Sequence, residues 1–189
     1  METSLAELWL PILLSAVFVF IVSSILHMVI PIHKDDFKKM PGEDKLLEAM
    51  RAQSIQPGSY MFPCGESMKD MGTPEMIEKC NKGPVGIMTV TVNGPQAMGK
   101  YLVMWFIYSI IIGIFVAYLA SLSLSRGADF MAVFRLTATA AILGYGATHI
   151  VDSIWKWQRW GITIKFIFDG VLYGLATAAT FAWLWPDAA

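Results

Sequence analysis

The stretch YLVMWFIYSIIIGIFVAYLASLSL, residues 101–124, decides the fold class, because it contains no Asp, Glu, Lys, Arg or His. A helix rises 1.5 Å per residue, and a hydrocarbon core about 30 Å thick takes roughly 20 apolar residues to cross. Lipid offers no water to the backbone, so the N–H and C=O groups of such a stretch must bond to one another, which makes it a helix. Working outward, three more stretches reach this length. Residues 9–32 carry His27 as their only ionisable side chain, residues 131–155 carry Arg135, His149 and Asp152, and residues 164–185 carry Lys165 and Asp169. The expected fold is therefore an all-α membrane protein, a four-transmembrane-helix bundle. Its organisation is a first transmembrane helix in 1–32, an extramembrane cap in 33–100 and three transmembrane helices in 101–189.

Composition agrees with this reading. Of 189 residues, 56% are hydrophobic and 15% charged, where a soluble domain carries about 25% charged residues. A net charge of −1 leaves no basic footprint for nucleic acid. The expected partners are the lipid bilayer and a membrane-protein partner or a second copy of the chain. The start Met1-Glu2-Thr3-Ser4-Leu5-Ala6-Glu7 is acidic and the apolar run after it is long, so the first span reads as a retained helix and not as a cleaved leader.

Four spans put both termini on one side. The other side holds Lys34, Lys38, Lys39, Lys45, Arg51, Lys69, Lys79, Lys82, Lys100, Lys156, Arg159 and Lys165, against only Arg126 and Arg135. Positive charge favours the cytoplasmic side. The large loop is thus expected in the cytoplasm and the termini outside. All seven tryptophans fall near predicted interfaces, as an aromatic belt requires.

The cap has its own signals. Residues 42–52 read as a short helix with Glu43 and Asp44 in its first turn. Thr73-Pro74-Glu75 reads as a helix start, ending at Gly83-Pro84. Residues 85–92 read as a strand before the turn at Asn93-Gly94, with a partner strand near 59–62. The loop insertion is expected to be a small α+β cytoplasmic element.

Helices in lipid associate through small residues. Gly170, Gly174 and Ala178 recur every four residues in the last span, as do Ala140 and Gly144 in the third, followed by Thr148. These stripes predict a tight antiparallel hairpin of the last two spans, or a face for another subunit.

The candidate site is a layer of polar groups near the cytoplasmic end: His27, His149, Asp152, Lys165 and Asp169, with Tyr173 extending the last-span face. Lys165 and Asp169 are four residues apart and can pair. Ionisable groups at such depth are costly and face the bundle interior or a water-filled cavity. Three chemistries fit them: a structural polar network, a ligand, quinone or proton site, or a haem or metal site using the histidines as ligands. A second candidate is the sulfur-rich run of Met61, Cys64, Met68, Met71 and Cys80, which reads as a packing or partner surface and alternatively as a copper(I) site. Arg135 is expected to reach the headgroups. No phosphate-binding loop, dinucleotide fingerprint, nucleophile elbow or HExxH zinc motif occurs, so enzymatic activity and a bound cofactor are not expected.

Five segments carry a family resemblance: the opening LWLPILLSAV at 8–17, His27-Met28, Gly83-Pro84-Val85-Gly86, FDGVLY at 168–173, and Trp183-Leu184-Trp185-Pro186. In these the chain resembles the uncharacterised small bacterial integral membrane proteins with four spans and a loop after the first. The resemblance implies the membrane fold and a place in a bacterial inner membrane, and carries no assigned activity. The expected function is a non-enzymatic accessory or scaffold subunit of a larger membrane complex. The alternative is a membrane protein that binds a cofactor or ligand (haem, quinone or metal) at the polar layer.

Overall fold

The computed structural model describes residues 3–188; part of the acidic start, Met1 and Glu2, lies outside the described residues, as does Ala189. In chain order the regular elements are α1 (Trp9–Ser24), α2 (Glu43–Ala52), β1 (Gly58–Phe62), α3 (Pro74–Lys82), β2 (Gly86–Val90), α4 (Met98–Ser123), α5 (Phe130–Tyr145), α6 (Ile150–Trp155) and α7 (Trp160–Trp183). Four helical stretches are long and apolar enough to cross a membrane: Leu5–Val29, Met98–Ser123, Phe130–Trp155 and Trp160–Trp183. The chain divides into a helical unit, Met1–Asp36 with Ala97–Ala189, and a loop unit, Phe37–Gln96.

In the helical unit α1 packs on α4 and α7, and α5 also packs on α4 and α7, which closes a ring of four helices. The α5–α7 interface is the most extensive. The core holds Leu8, Val19, Val116, Val133, Tyr145 and Phe181, while Leu13, Ile21, Ile107, Ile111, Phe115 and Phe168 are exposed. Apolar side chains outside and small or polar ones inside are the arrangement that lipid favours. Buried hydroxyls are satisfied locally. Ser15 donates to the Ile12 carbonyl at 2.9 Å, Thr137 to Val133 at 2.7 Å and Thr177 to Tyr173 at 2.9 Å. These bonds let polar side chains sit inside without unpaired hydrogens.

The small-residue stripe of α7 lies against α5, but it meets a different part of α5 from the one the spacing predicts. A Cβ on Gly170 would stand 2.4 Å from the Gly146 Cα, and one on Gly174 would stand 2.4 Å from the Ile142 Cγ1. Ala178 is fully buried. Gly144 faces α4 instead, where an added Cβ would meet Ile112 at 2.8 Å, and Ala140 packs at the core's edge. The third span is also not one continuous helix. It breaks after Tyr145 at Gly146, and a tight turn, Ala147–His149, leads into α6. Glycine holds a helix less firmly than any residue but proline, and here it also admits the close approach of α7.

One end of the bundle gathers the two termini and the α4–α5 connection. Ser4 and Glu7 cap each other's backbone at 2.9 and 3.4 Å, Arg126 pairs with Glu7, and the Gly127 N–H donates to the Pro186 carbonyl at 2.8 Å. Trp9, Trp155, Trp157, Trp160 and Trp183 are exposed. Trp105 and Trp185 turn inward, donating to the Ser23 hydroxyl and the Ser125 carbonyl, each at 3.0 Å.

In the loop unit β1 and β2 pair antiparallel, with Tyr60 opposite Met88. The Thr73 hydroxyl caps α3 by accepting from the Met76 N–H at 3.3 Å, and Pro74 occupies the first turn. The unit is thus a two-stranded antiparallel sheet, with α3 in the connection between its strands, and the short helix α2 before it. Among the sulfur-bearing residues, Met71 accepts from the Gly65 N–H at 3.3 Å, Met61 and Met68 are exposed, and Cys64 and Cys80 are free thiols.

Candidate functional site

The bundle end opposite the termini carries the polar residues. Near the end of the first span the helix widens over Ile25–Val29, and the Ile30 N–H reaches back five residues to the Ile25 carbonyl at 3.0 Å. Pro31 has no N–H to continue the ladder. A short turn, Pro31–His33, then folds the chain back. Widened turns of this kind recur at functional sites. Here the result is that the His27 and His33 rings stack in parallel, with centroids 4.4 Å apart and planes 9° apart.

Both imidazoles face Asp169 of α7. His33 Nε2 lies 2.8 Å from Asp169 Oδ2, and His27 Nε2 lies 3.9 Å from the same oxygen. The far nitrogens are held from behind. His27 Nδ1 is 3.1 Å from the Ser23 carbonyl and His33 Nδ1 is 2.6 Å from Asp36 Oδ2. The other Asp36 oxygen accepts from Lys165 Nζ at 2.6 Å. Burial pushes the Asp36 carboxyl up, but hydrogen bonds from Lys165 and His33 and the charge of the Lys165 ammonium outweigh it and hold the group below the usual carboxylate range. Asp169 is only 1% exposed, and its second oxygen, Oδ1, has no hydrogen-bond partner among the described residues. A buried carboxylate oxygen without a partner costs the full desolvation of that atom.

Two residues that the sequence reading places in the site, His27 and Asp169, meet here, and Lys165 joins through Asp36. Lys165 thus bonds Asp36, not Asp169, although the four-residue spacing allows that pair. The others sit elsewhere. His149 stacks on Phe166 at 5.0 Å, and Phe166 also contacts His33 at 5.1 Å. Asp152 pairs with Lys156 at 2.7 Å on α6. Tyr173 lies in an aromatic cluster with Trp105 and Tyr145, at 5.6 and 5.7 Å. Two central residues, His33 and Asp36, are absent from the sequence reading. Their signal is the spacing His27, His33, Asp36 across Pro31, where the apolar run ends.

The reactive atoms of His27, His33 and Asp169 all lie within 4.8 Å of one another, so these three could hold a metal ion. The chain is a multi-pass membrane protein by its four apolar helices, with a His–Asp centre around the buried Asp169 at one end of the bundle. Comparison with protein-family models, with curated proteins and with solved structures finds no match.

Proposed function

We propose that the chain is a membrane protein that binds a small ligand or cofactor at the His27–His33–Asp169 centre. The observation that carries this reading is Asp169: it is buried to 1% exposure, one of its oxygens has no partner among the described residues, and two imidazoles converge on the other. A centre built only to fix helix register would leave no buried acceptor open. The distribution of Lys and Arg supports placing this end in the cytoplasm of a bacterial cell and both termini outside the inner membrane.

Native mass spectrometry of the chain, extracted from its own membrane in mild detergent, tests the reading. A small bound mass on the bare chain or on a homo-oligomer is the expected result. A stoichiometric second protein without it would replace the reading with that of an accessory or scaffold subunit. Orientation has its own test in Cys64 and Cys80. An impermeant thiol reagent applied to intact cells is expected to leave both unlabelled until the cells are opened. Labelling in intact cells would invert the topology.

A further inference from the structure

We propose that the centre takes a divalent first-row transition-metal ion, held by His27 Nε2, His33 Nε2 and the Asp169 carboxylate, with coordination positions left open. This rests on the binding reading above and gives the ligand a chemical class.

The hydrogen bonds behind the rings fix what the front can do. The Ser23 carbonyl only accepts, so His27 Nδ1 carries its proton. Asp36 accepts from the Lys165 ammonium through one oxygen and faces His33 Nδ1 with the other, so that nitrogen carries a proton too. In neutral imidazoles both Nε2 atoms then present lone pairs, and they present them to a carboxylate. In that tautomer three lone-pair donors converge with no hydrogen among them. A cation reconciles them, either a metal ion or a proton shared between His33 Nε2 and Asp169. With neutral imidazoles the cluster holds two carboxyl groups, Asp36 and Asp169, and one ammonium, Lys165, which pairs with Asp36.

The metal fits better than the proton on two grounds. A proton on His33 answers Asp169 Oδ2 and leaves Oδ1 buried and bare. A metal ion can draw on both oxygens. The surroundings also match what metal-binding histidines need, since each ring donates its far N–H, one to a carboxylate and one to a backbone carbonyl. Two imidazoles and one carboxylate suit zinc, iron(II), cobalt(II) or nickel(II) more than magnesium or calcium, which prefer all-oxygen shells. Bond lengths near 2.0–2.1 Å place tetrahedral ligands about 3.3 Å apart. The present spacings of 2.8 and 3.9 Å bracket that value. Three protein ligands leave at least one position for water or another exchangeable group, as in open sites and unlike closed four-ligand structural ones. The His27 side chain is 41% exposed, which gives that position a way out of the bundle.

The test uses the full chain without a histidine tag, purified in detergent and stripped with a chelator. Titration with Co²⁺ is read by visible absorption, and Zn²⁺ is read by displacement of the Co²⁺ signal. One equivalent per chain is expected. Asp169→Asn and His33→Ala are each expected to weaken binding by more than about 100-fold, and Asp36→Asn, which removes a positioning group, by about 10–100-fold with an altered Co²⁺ spectrum. His149→Ala should bind as the parent does. Circular dichroism and size exclusion verify that each variant is folded, and Asp169→Asn keeps the side-chain shape should His33→Ala not fold. A folded parent that takes up no stoichiometric metal overturns the metal assignment, as does binding that survives Asp169→Asn. Nitrogen NMR of His33 then separates the two failures. An imidazolium with both nitrogens protonated overturns the metal while leaving a proton-binding centre. A neutral ring with no metal and no bound small mass overturns the binding reading itself.

Discussion

Replacing Gly170 by valine is expected to abolish stable assembly of the bundle, and replacement by alanine to lower its stability by about 1–3 kcal/mol or more. The reason is where the new atom must go. A Cβ at this position would lie 2.4 Å from the Gly146 Cα, 2.5 Å from the Gly146 nitrogen and 2.7 Å from the Tyr145 carbonyl carbon. All three are backbone atoms, so no side-chain rotation relieves the overlap, and α7 must move away from α5. That interface is the largest of the helical unit. In lipid no hydrophobic effect pulls separated helices together again, so lost packing is not recovered elsewhere. Alanine would gain about 1 kcal/mol of helix propensity over glycine, which is too little to offset a contact this short. Gly161→Ala is the control, since nothing lies within 4 Å of its Cβ and the same propensity gain acts alone. Midpoints of denaturation in detergent measure all three variants. A parent-like midpoint for Gly170→Ala would mean that α5 and α7 do not meet at Gly146.

The same pair of glycines shows what the sequence could and could not disclose. The four spans were legible because hydropathy adds up over some twenty residues and tolerates an occasional charge. The strands Gly58–Phe62 and Gly86–Val90 were legible from turn residues and β-branched side chains. The small-residue stripe on α7 was legible as a packing face, but its partner was not. Spacing on α5 favours Gly144, whereas the break after Tyr145 rotates Gly146 into place. Hydropathy reports composition and is blind to a missing hydrogen bond.

The candidate site divides along the same line. His27 and Asp169 stand out because each is an ionisable group inside an apolar run. His33 and Asp36 do not, because they follow Pro31 and have the look of an ordinary polar loop. Only the fold-back through Pro31–His33 returns them to the bundle. Lys165 illustrates the competition between local and tertiary pairing. Helical spacing offers it Asp169, yet Asp36, 129 residues away in the chain, takes its ammonium at 2.6 Å. Asp169 is thereby left free of the lysine and open to the two imidazoles.

That freedom gives Asp169→Asn an unusual expected sign: in the metal-free protein it should stabilise the fold, by about 1–3 kcal/mol. In a centre waiting for a metal, a carboxylate sits almost fully buried there, facing two imidazole nitrogens, with one oxygen lacking a partner among the described residues. The amide removes the buried charge and supplies an N–H₂ that can donate to His33 Nε2. Were His33 instead an imidazolium bonded to Asp36 and Asp169, the same change would break a buried charge pair and destabilise by about 3–5 kcal/mol. The sign of the shift in the unfolding midpoint, measured in chelator, therefore separates a centre waiting for a metal from a permanent ion pair. Adding Zn²⁺ should then reverse the order. The parent gains about 2.7 kcal/mol when the ion is at a hundred times its dissociation constant, and the variant, having lost a ligand, gains far less. A residue retained at a cost to the empty fold, whose loss matters only once the ion is present, is what a binding site predicts and a register-fixing network does not.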